Sequence, residues 1–424
     1  MIEKSSLQKA GQLWLDRRVA KAALRQAQRS LTLLGWVSAI ALSACTEVRN
    51  APTTDRATDP DCVENFDPNT DYFPDKAEVD RAAGFTIDYR GHYKVVTVLE
   101  PWRDADRGFE YVLVQCGTPI PDGVDPTQVV TIPVRSIVAL STTHLAHLDR
   151  LGVVDRLVGT GSADHISTES VRDRLASGEA IEVTRNLSTN VEAIIGLDPD
   201  LVMTHSIGDP NSDMHPVLSE AGLTVVLNAE YVEKSPLGRA EWLKFTAAFF
   251  NREAVANSLF QAIEWEYLAV AQMATAIAPE DKPTVVSGFS YQGTWYVPGG
   301  ESFAAQLFAD AGAAYAWSDT PISVSIPLDF EAVYDIAGDA DVWLNGDPAW
   351  QSRADAIADD PRYGEFRGLD RFYNHTARTN ATGGNDYWET GPIEPQVVLA
   401  DLVQIFHPEL LGDRELIYYK PLDN

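Results

Sequence analysis

The chain has 424 residues, 45% of them hydrophobic and 22% charged, with a formal net charge of −29. This is globular composition, with length for two domains of ordinary size. A surface so acidic repels nucleic acid and anionic headgroups, which excludes a polyanion as its partner.

Residues 1–45 hold seven basic side chains against two acidic ones, and without them the net charge falls to −34. Within them, 31–42 (LTLLGWVSAIAL) forms an uncharged apolar run. It is shorter than the roughly 20 residues a spanning helix needs. A basic stretch before it and small residues after it give the order of a secretory signal. Its end, Leu42-Ser43-Ala44-Cys45, resembles the lipobox of bacterial lipoproteins. That resemblance implies cleavage before Cys45 and acylation of its thiol, so that an exported protein hangs from a membrane by its buried acyl methylenes. Residues 46–61 are polar, hold two prolines and read as a flexible tether. With Cys45 acylated, Cys62 and Cys116 remain as one pair, and an oxidising compartment permits a disulfide between them. Two buried free thiols are the alternative.

Residues 62–130 form a small β-rich extension, with β-branched and aromatic runs at 93–99 and 109–115 that read as a hairpin. From 131 the pattern becomes alternating strands and helices, the signature of an α/β domain with a mostly parallel sheet. Strands are expected at 136–140, 157–160, 201–204 and 224–227, with helices at 143–151 and 191–197. Apolar residues then recur at three- and four-residue steps from Arg239 to Ala278. This predicts a connecting helix within 237–280, about 60 Å long if unbroken. Asn251 and Asn257 are weak helix formers and candidate break points. A second α/β half occupies 281–424, after a first of 131–236.

The two halves repeat a motif. Residues 190–202 (NVEAIIGLDPDLV) and 329–342 (DFEAVYDIAGDADV) both read as a polar N-cap, an apolar residue, Glu-Ala, an apolar helix face, a turn and a strand. Glu192 and Glu331 fall in the first turn, where the helix dipole favours a carboxylate. With RSIVALSTTHLAHLDRLGVVDRLVGTG, SFAAQLFADAGAAY and VLADLVQIFHPEL in order around the central helix, the chain resembles the solute-binding proteins of ABC importers for ferric siderophores and cobalamin, over roughly 131–424. The resemblance implies an α/β fold of two Rossmann-like lobes bridged by a long α-helix. The ligand would lie in the cleft, and one glutamate per lobe, here Glu192 and Glu331, would dock on arginines of a permease dimer in the inner membrane.

Ligands of open α/β sheets bind beyond the carboxyl ends of the strands. The loops there supply Thr143, His144, His165 and His205 from the first half, and Tyr291, Trp295, Tyr296, Trp350, Arg378, Tyr387 and Trp388 from the second. Flat rings suit a catecholate, a corrin or a porphyrin face, and Arg378 suits an anionic chelate. The expectation is a monomeric binding protein that takes an Fe(III)-siderophore, with a corrinoid or haem as alternatives and no resident cofactor. A zinc- or manganese-binding relative is a further alternative, because several histidines cluster near first-half loops. A secreted α/β hydrolase is disfavoured, since the chain has no G-x-S-x-G, H-E-x-x-H or P-loop. A structural lipoprotein, binding a partner through 62–130, is the third class.

Overall fold

The computed structural model describes residues 61–185 and 188–423. The apolar run 31–42, Cys45 and the tether up to residue 60 lie outside the described residues. Among the described residues no helix is long and apolar enough to cross a membrane.

The first sheet has four strands in the order β1 (Phe85–Arg90), β2 (Tyr93–Val98), β3 (Phe109–Gln115), β4 (Val129–Ile132). The first three are antiparallel, and β4 runs parallel to β3. In β2 the alternation of side chains buries Lys94, Val96 and Val98. A disulfide joins Cys62 to Cys116, just past β3.

The second sheet is parallel, in the order β9 (Val225–Leu227), β8 (Leu201–Thr204), β5 (Ile137–Ala139), β6 (Leu157–Thr160), β7 (Ile181–Glu182). Helices α1 (Thr142–Arg150), α2 (Glu169–Ser177), α3 (Val191–Leu197) and α4 (Met214–Glu220) lie between its strands. Both sheets share one core: Phe85, Val96 and Leu113 of the extension pack in the same cluster as Ile137, Leu145 and Leu201.

The expected single connecting helix is two: α5 (Pro236–Ala248) and α6 (Glu253–Ala274). Asn251 stands between them with φ +53°, a left-handed conformation that asparagine tolerates and a helix does not. Ser235 caps α5 with Pro236 at its first position. Every residue of α5 is buried. Its charged side chains are therefore paired, Lys244 with Glu241 and Arg239 with Glu230.

The third sheet runs β11 (Ala314–Tyr315), β10 (Thr284–Ser287), β12 (Val342–Leu344), β13 (Phe372–Asn374), β14 (Lys420–Pro421), with only β14 antiparallel. Helices α7 (Phe303–Asp310), α8 (Phe330–Ala337), α9 (Arg353–Asp359) and α10 (Pro395–Phe406) flank it. An antiparallel patch of Ser290–Tyr291, Thr294–Pro298 and Ser325–Leu328 covers one side. Its core is a separate cluster centred on Trp295, Trp343, Trp350 and Tyr363. The result is two α/β halves, joined by α5 and α6, with a β-rich extension fused to the first.

Candidate functional site

In a parallel sheet, a helix that precedes a strand starts at the carboxyl end of the sheet. The loops after β5, β6, β8 and β9 therefore gather at one edge of the first half, and those after β10, β11, β12 and β13 at one edge of the second. These two edges face each other. They are joined along one flank by residues 378–394, which cross from β13 to the loop after β6. There Asn380 Nδ2 donates to the carbonyls of Asp164 and Ile166 at 3.2 and 3.0 Å, and Thr382 Oγ1 donates to Asp164 O at 2.7 Å. The Glu389 carboxylate accepts from the amides of Ser167 and Thr168 at 2.5 and 2.9 Å, ahead of α2. Burial raises the pKa of that carboxyl, and these hydrogen bonds oppose the shift. Arg150 pairs with Glu394 beside it.

Between the halves, the start of α5 meets α7 and α10. Arg239 holds Glu230 with two hydrogen bonds of 2.8 and 2.6 Å, both residues buried. The Arg239 guanidinium lies 4.5 Å from the Phe303 ring centroid. Pro236, Phe303, Leu307, Tyr387, Trp388 and Pro392 line a narrow apolar recess here. Near the Glu230 carboxylate are His205 and Tyr231, their rings 6.3 Å apart edge to face. The Tyr231 hydroxyl donates to Ser206 O at 2.6 Å. His205 is exposed to solvent, yet enough protein surrounds it that desolvation lowers its pKa against the pull of Glu230 and Asp213. A ring both wet and crowded is what a cleft floor provides. A larger cavity lies at the amino ends of β5 and β6, beside Cys62 and Arg156. It holds none of the ligand-binding residues selected from sequence.

The selected residues divide. His205, Trp388, Tyr291 and Tyr296 keep exposed or half-exposed side chains, and Trp388 is 50% exposed. His165 is exposed on the loop that receives residues 378–394. Six others are held by the protein itself. Trp295 is fully buried, its Nε1 donating to Ser287 O at 2.9 Å, because strand alternation turns Trp295 and Val297 inward and Tyr296 outward. Trp350 is buried against Tyr363, its indole donating to Asp359 at 2.7 Å. Thr143 and His144 lie on the buried side of α1. Desolvation and the neighbouring His147 and His205 rings hold His144 neutral, well below the usual histidine range. Arg378 is spent on the buried Asp386 carboxylate at 2.7 Å, so its charge is already matched. Tyr387 is largely buried against His375 and forms part of the recess wall.

Sequence reading missed Tyr231, Arg239, Phe303 and Glu389. The first follows β9 and falls under the same carboxyl-end rule, a signal that was available. Arg239 and Phe303 sit in the first turns of helices, where periodicity alone assigns them to a core. Among the described residues no group of three His, Cys, Asp or Glu side chains is placed to hold a metal ion.

Glu192 is exposed in the first turn of α3, whose cap is Asn190 Oδ1 accepting from Ala193 N at 2.9 Å. Glu331 holds the matching place in α8, where Asp329 Oδ1 accepts from Ala332 N at 2.7 Å. Each glutamate therefore stands at the cleft end of its own half. Glu331 also takes an exposed bond of 2.7 Å from Arg362.

A family model described as periplasmic binding protein matches residues 137–368. An uncharacterised lipoprotein of Methanocaldococcus jannaschii is 27% identical over 328 residues, 74% of this chain and 76% of that protein. A second one from the same organism is 26% identical over 332 residues, 74% and 80% of the two chains. A periplasmic binding protein from Veillonella parvula superposes with a TM-score of 0.52 at 14% identity, covering 74% of this chain and 98% of that one. A periplasmic heme binding protein from Pseudomonas aeruginosa gives 0.50 at 17% identity, over 69% and 99%. At such identities the structural likenesses speak to fold.

Proposed function

The chain belongs to the periplasmic binding protein family, in its ferric-siderophore, cobalamin and haem class, and from that premise we propose that it captures an iron-siderophore chelate between its halves and delivers it to the permease of an ABC importer. Proteins of this family bind solutes and are not enzymes. The observation that carries the reading is the recess between the halves. It has an apolar wall of Phe303, Trp388 and Pro392 and takes in Arg239, whose buried partner Glu230 lies near the exposed His205. Apolar rings with a few convergent polar groups are the usual make-up of a small-molecule site.

Haem is the second reading. It is favoured by His205, whose neutral ring reaches solvent beside Tyr231 in the cleft, and by the stated ligand of the Pseudomonas aeruginosa neighbour. Tryptophan quenching with a ferric catecholate, a neutral ferric trihydroxamate, ferric citrate, hemin and cyanocobalamin tests both. Micromolar or tighter binding of one chelate supports the first, and a Soret shift lost in His205→Ala supports the second. Failure of all five probes to bind would exclude both. The membrane anchor belongs to the same proposal. Cys45 is expected to carry acyl chains, and the two uncharacterised lipoproteins among the relatives support this. Palmitate labelling lost in Cys45→Ser is the result expected.

A further inference from the structure

The β2–β3 loop, residues 99–108, belongs to the extension and lies outside the 137–368 that the family model matches. It does not trail away from the body. Trp102 lies against Gly208, where a Cβ would come within 2.6 Å of the indole. Phe109 packs edge-on to Trp102 at 6.0 Å and to His215 at 5.0 Å. The loop is thus pinned to residues 205–215, which follow β8 at the cleft edge. From that position Arg103 spans the gap, and its Nη1 donates to Ser323 Oγ of the second half at 2.6 Å. Arg103 is half-buried and close enough to Tyr231 to act on its ionisation.

The neighbouring cations are matched by carboxylates, save the exposed Arg107, which lies over the Phe109 ring. Arg239 is matched by Glu230, Lys234 by Glu301, and Arg378 by Asp386. Asp213 is occupied by the Ser206 hydroxyl and by the amides of Ile207 and Gly208. Glu100 accepts from the Asp104 amide. Arg103 is held by a neutral hydroxyl. A serine is a weak acceptor for a guanidinium, and a carboxylate is roughly twice as strong and accepts both arms of the fork.

We propose that residues 99–108 form a third wall of the cleft, and that Arg103 recognises a carboxylate group on an anionic chelate, leaving Ser323 to do so. This rests on the transport reading and names its substrate class: a carboxylate-bearing metal chelate. In so acidic a protein, a cation at the mouth also offsets the repulsion an anionic solute would meet.

The test titrates wild type, Arg103→Ala, Arg103→Lys and Ser323→Ala with ferric citrate and hemin, which carry carboxylates, and with a neutral ferric trihydroxamate. Arg103→Ala is expected to weaken the carboxylate-bearing probe that binds by roughly ten- to a hundredfold. Arg103→Lys should recover part of that loss, and Ser323→Ala should bind as tightly as wild type or tighter. If wild type binds a carboxylate-bearing probe and Arg103→Ala binds it equally well, this inference fails while the transport reading stands. It fails in the same way if wild type prefers the neutral probe, or if Arg103→Ala loses both kinds of probe alike. Wild type binding none of the three, nor a catecholate or cyanocobalamin, removes the transport reading and this one with it.

Discussion

Lys94 carries its ammonium into the first core, where it meets Glu253, Asn251 Oδ1 at 2.8 Å and the Ala248 carbonyl at 2.8 Å. Burial lowers its pKa to about 8, and Glu253 opposes the shift. Removing one partner strands the other in low dielectric, so Lys94→Met should destabilise the fold by about 3–5 kcal/mol, with the loss smaller in Lys94→Met/Glu253→Gln. Urea denaturation of the two variants decides this, and equal losses would count against it. Histidines at this scale set the acid limit. Desolvation lowers His147 and His375 to about 4. An unfolded chain protonates them near pH 6.5, so between about 6.5 and 4 the unfolded state binds more protons than the folded one. Stability therefore falls as pH falls through that window, by on the order of 3 kcal/mol for each ring. Melting temperatures at pH 7.5, 6 and 4.5 should drop in that order, and a flat profile would contradict the burial argument.

The element scale is where residues 378–394 matter. Glu389 holds the amides that open α2, and among the described residues nothing else in the second half takes its place on Thr168. Glu389→Ala should therefore free both segments, raising amide hydrogen exchange at 163–168 and 378–394 while leaving β5 and β8 protected. Hydrogen bonds to a charged group contribute about 1.5–3 kcal/mol each, enough to be read locally. Much of the element plan was legible in the sequence. The alternating strands, the two Glu-Ala helices and the closing helix follow from period and capping, because those signals are local. The break at Asn251 was a candidate in the sequence, and the structure settles it with a positive φ. The fate of the aromatics was not legible. Trp295 and Tyr296 are neighbours in one strand, and which of them faces the core depends on a register set by pairing with Ser325–Leu328 in the antiparallel patch. Nor does local sequence reveal that the carboxylates of Glu233 and Glu241 reach back to the amides of residues 80–84 and bind the extension to α5.

For the molecule as a whole, the two glutamates give a prediction that needs both halves. Among the described residues Glu192 has no ion-pair partner, whereas Glu331 is paired with Arg362, which a permease cation would have to displace. Exposed pairs are individually weak, but two at fixed separation set orientation and encounter rate. Glu192→Ala/Glu331→Ala should leave chelate affinity unchanged and abolish uptake by cells, with the single variants intermediate. Uptake at the wild-type rate would remove the docking role. Arg362→Ala alone should leave uptake unchanged or raise it.

The crossing made by residues 378–394 lies on the β6 side of the second sheet and the β13 side of the third. Arg103 and Ser323 meet on the other side of both, near β8 and β11. One margin of the cleft is thus sewn by several bonds, while the Arg103–Ser323 bond, together with the Lys234–Glu301 pair, joins the halves elsewhere. On the transport reading, a chelate would pass more readily where fewer bonds cross between the halves. On that reading, loading and unloading would depend on the same few atoms.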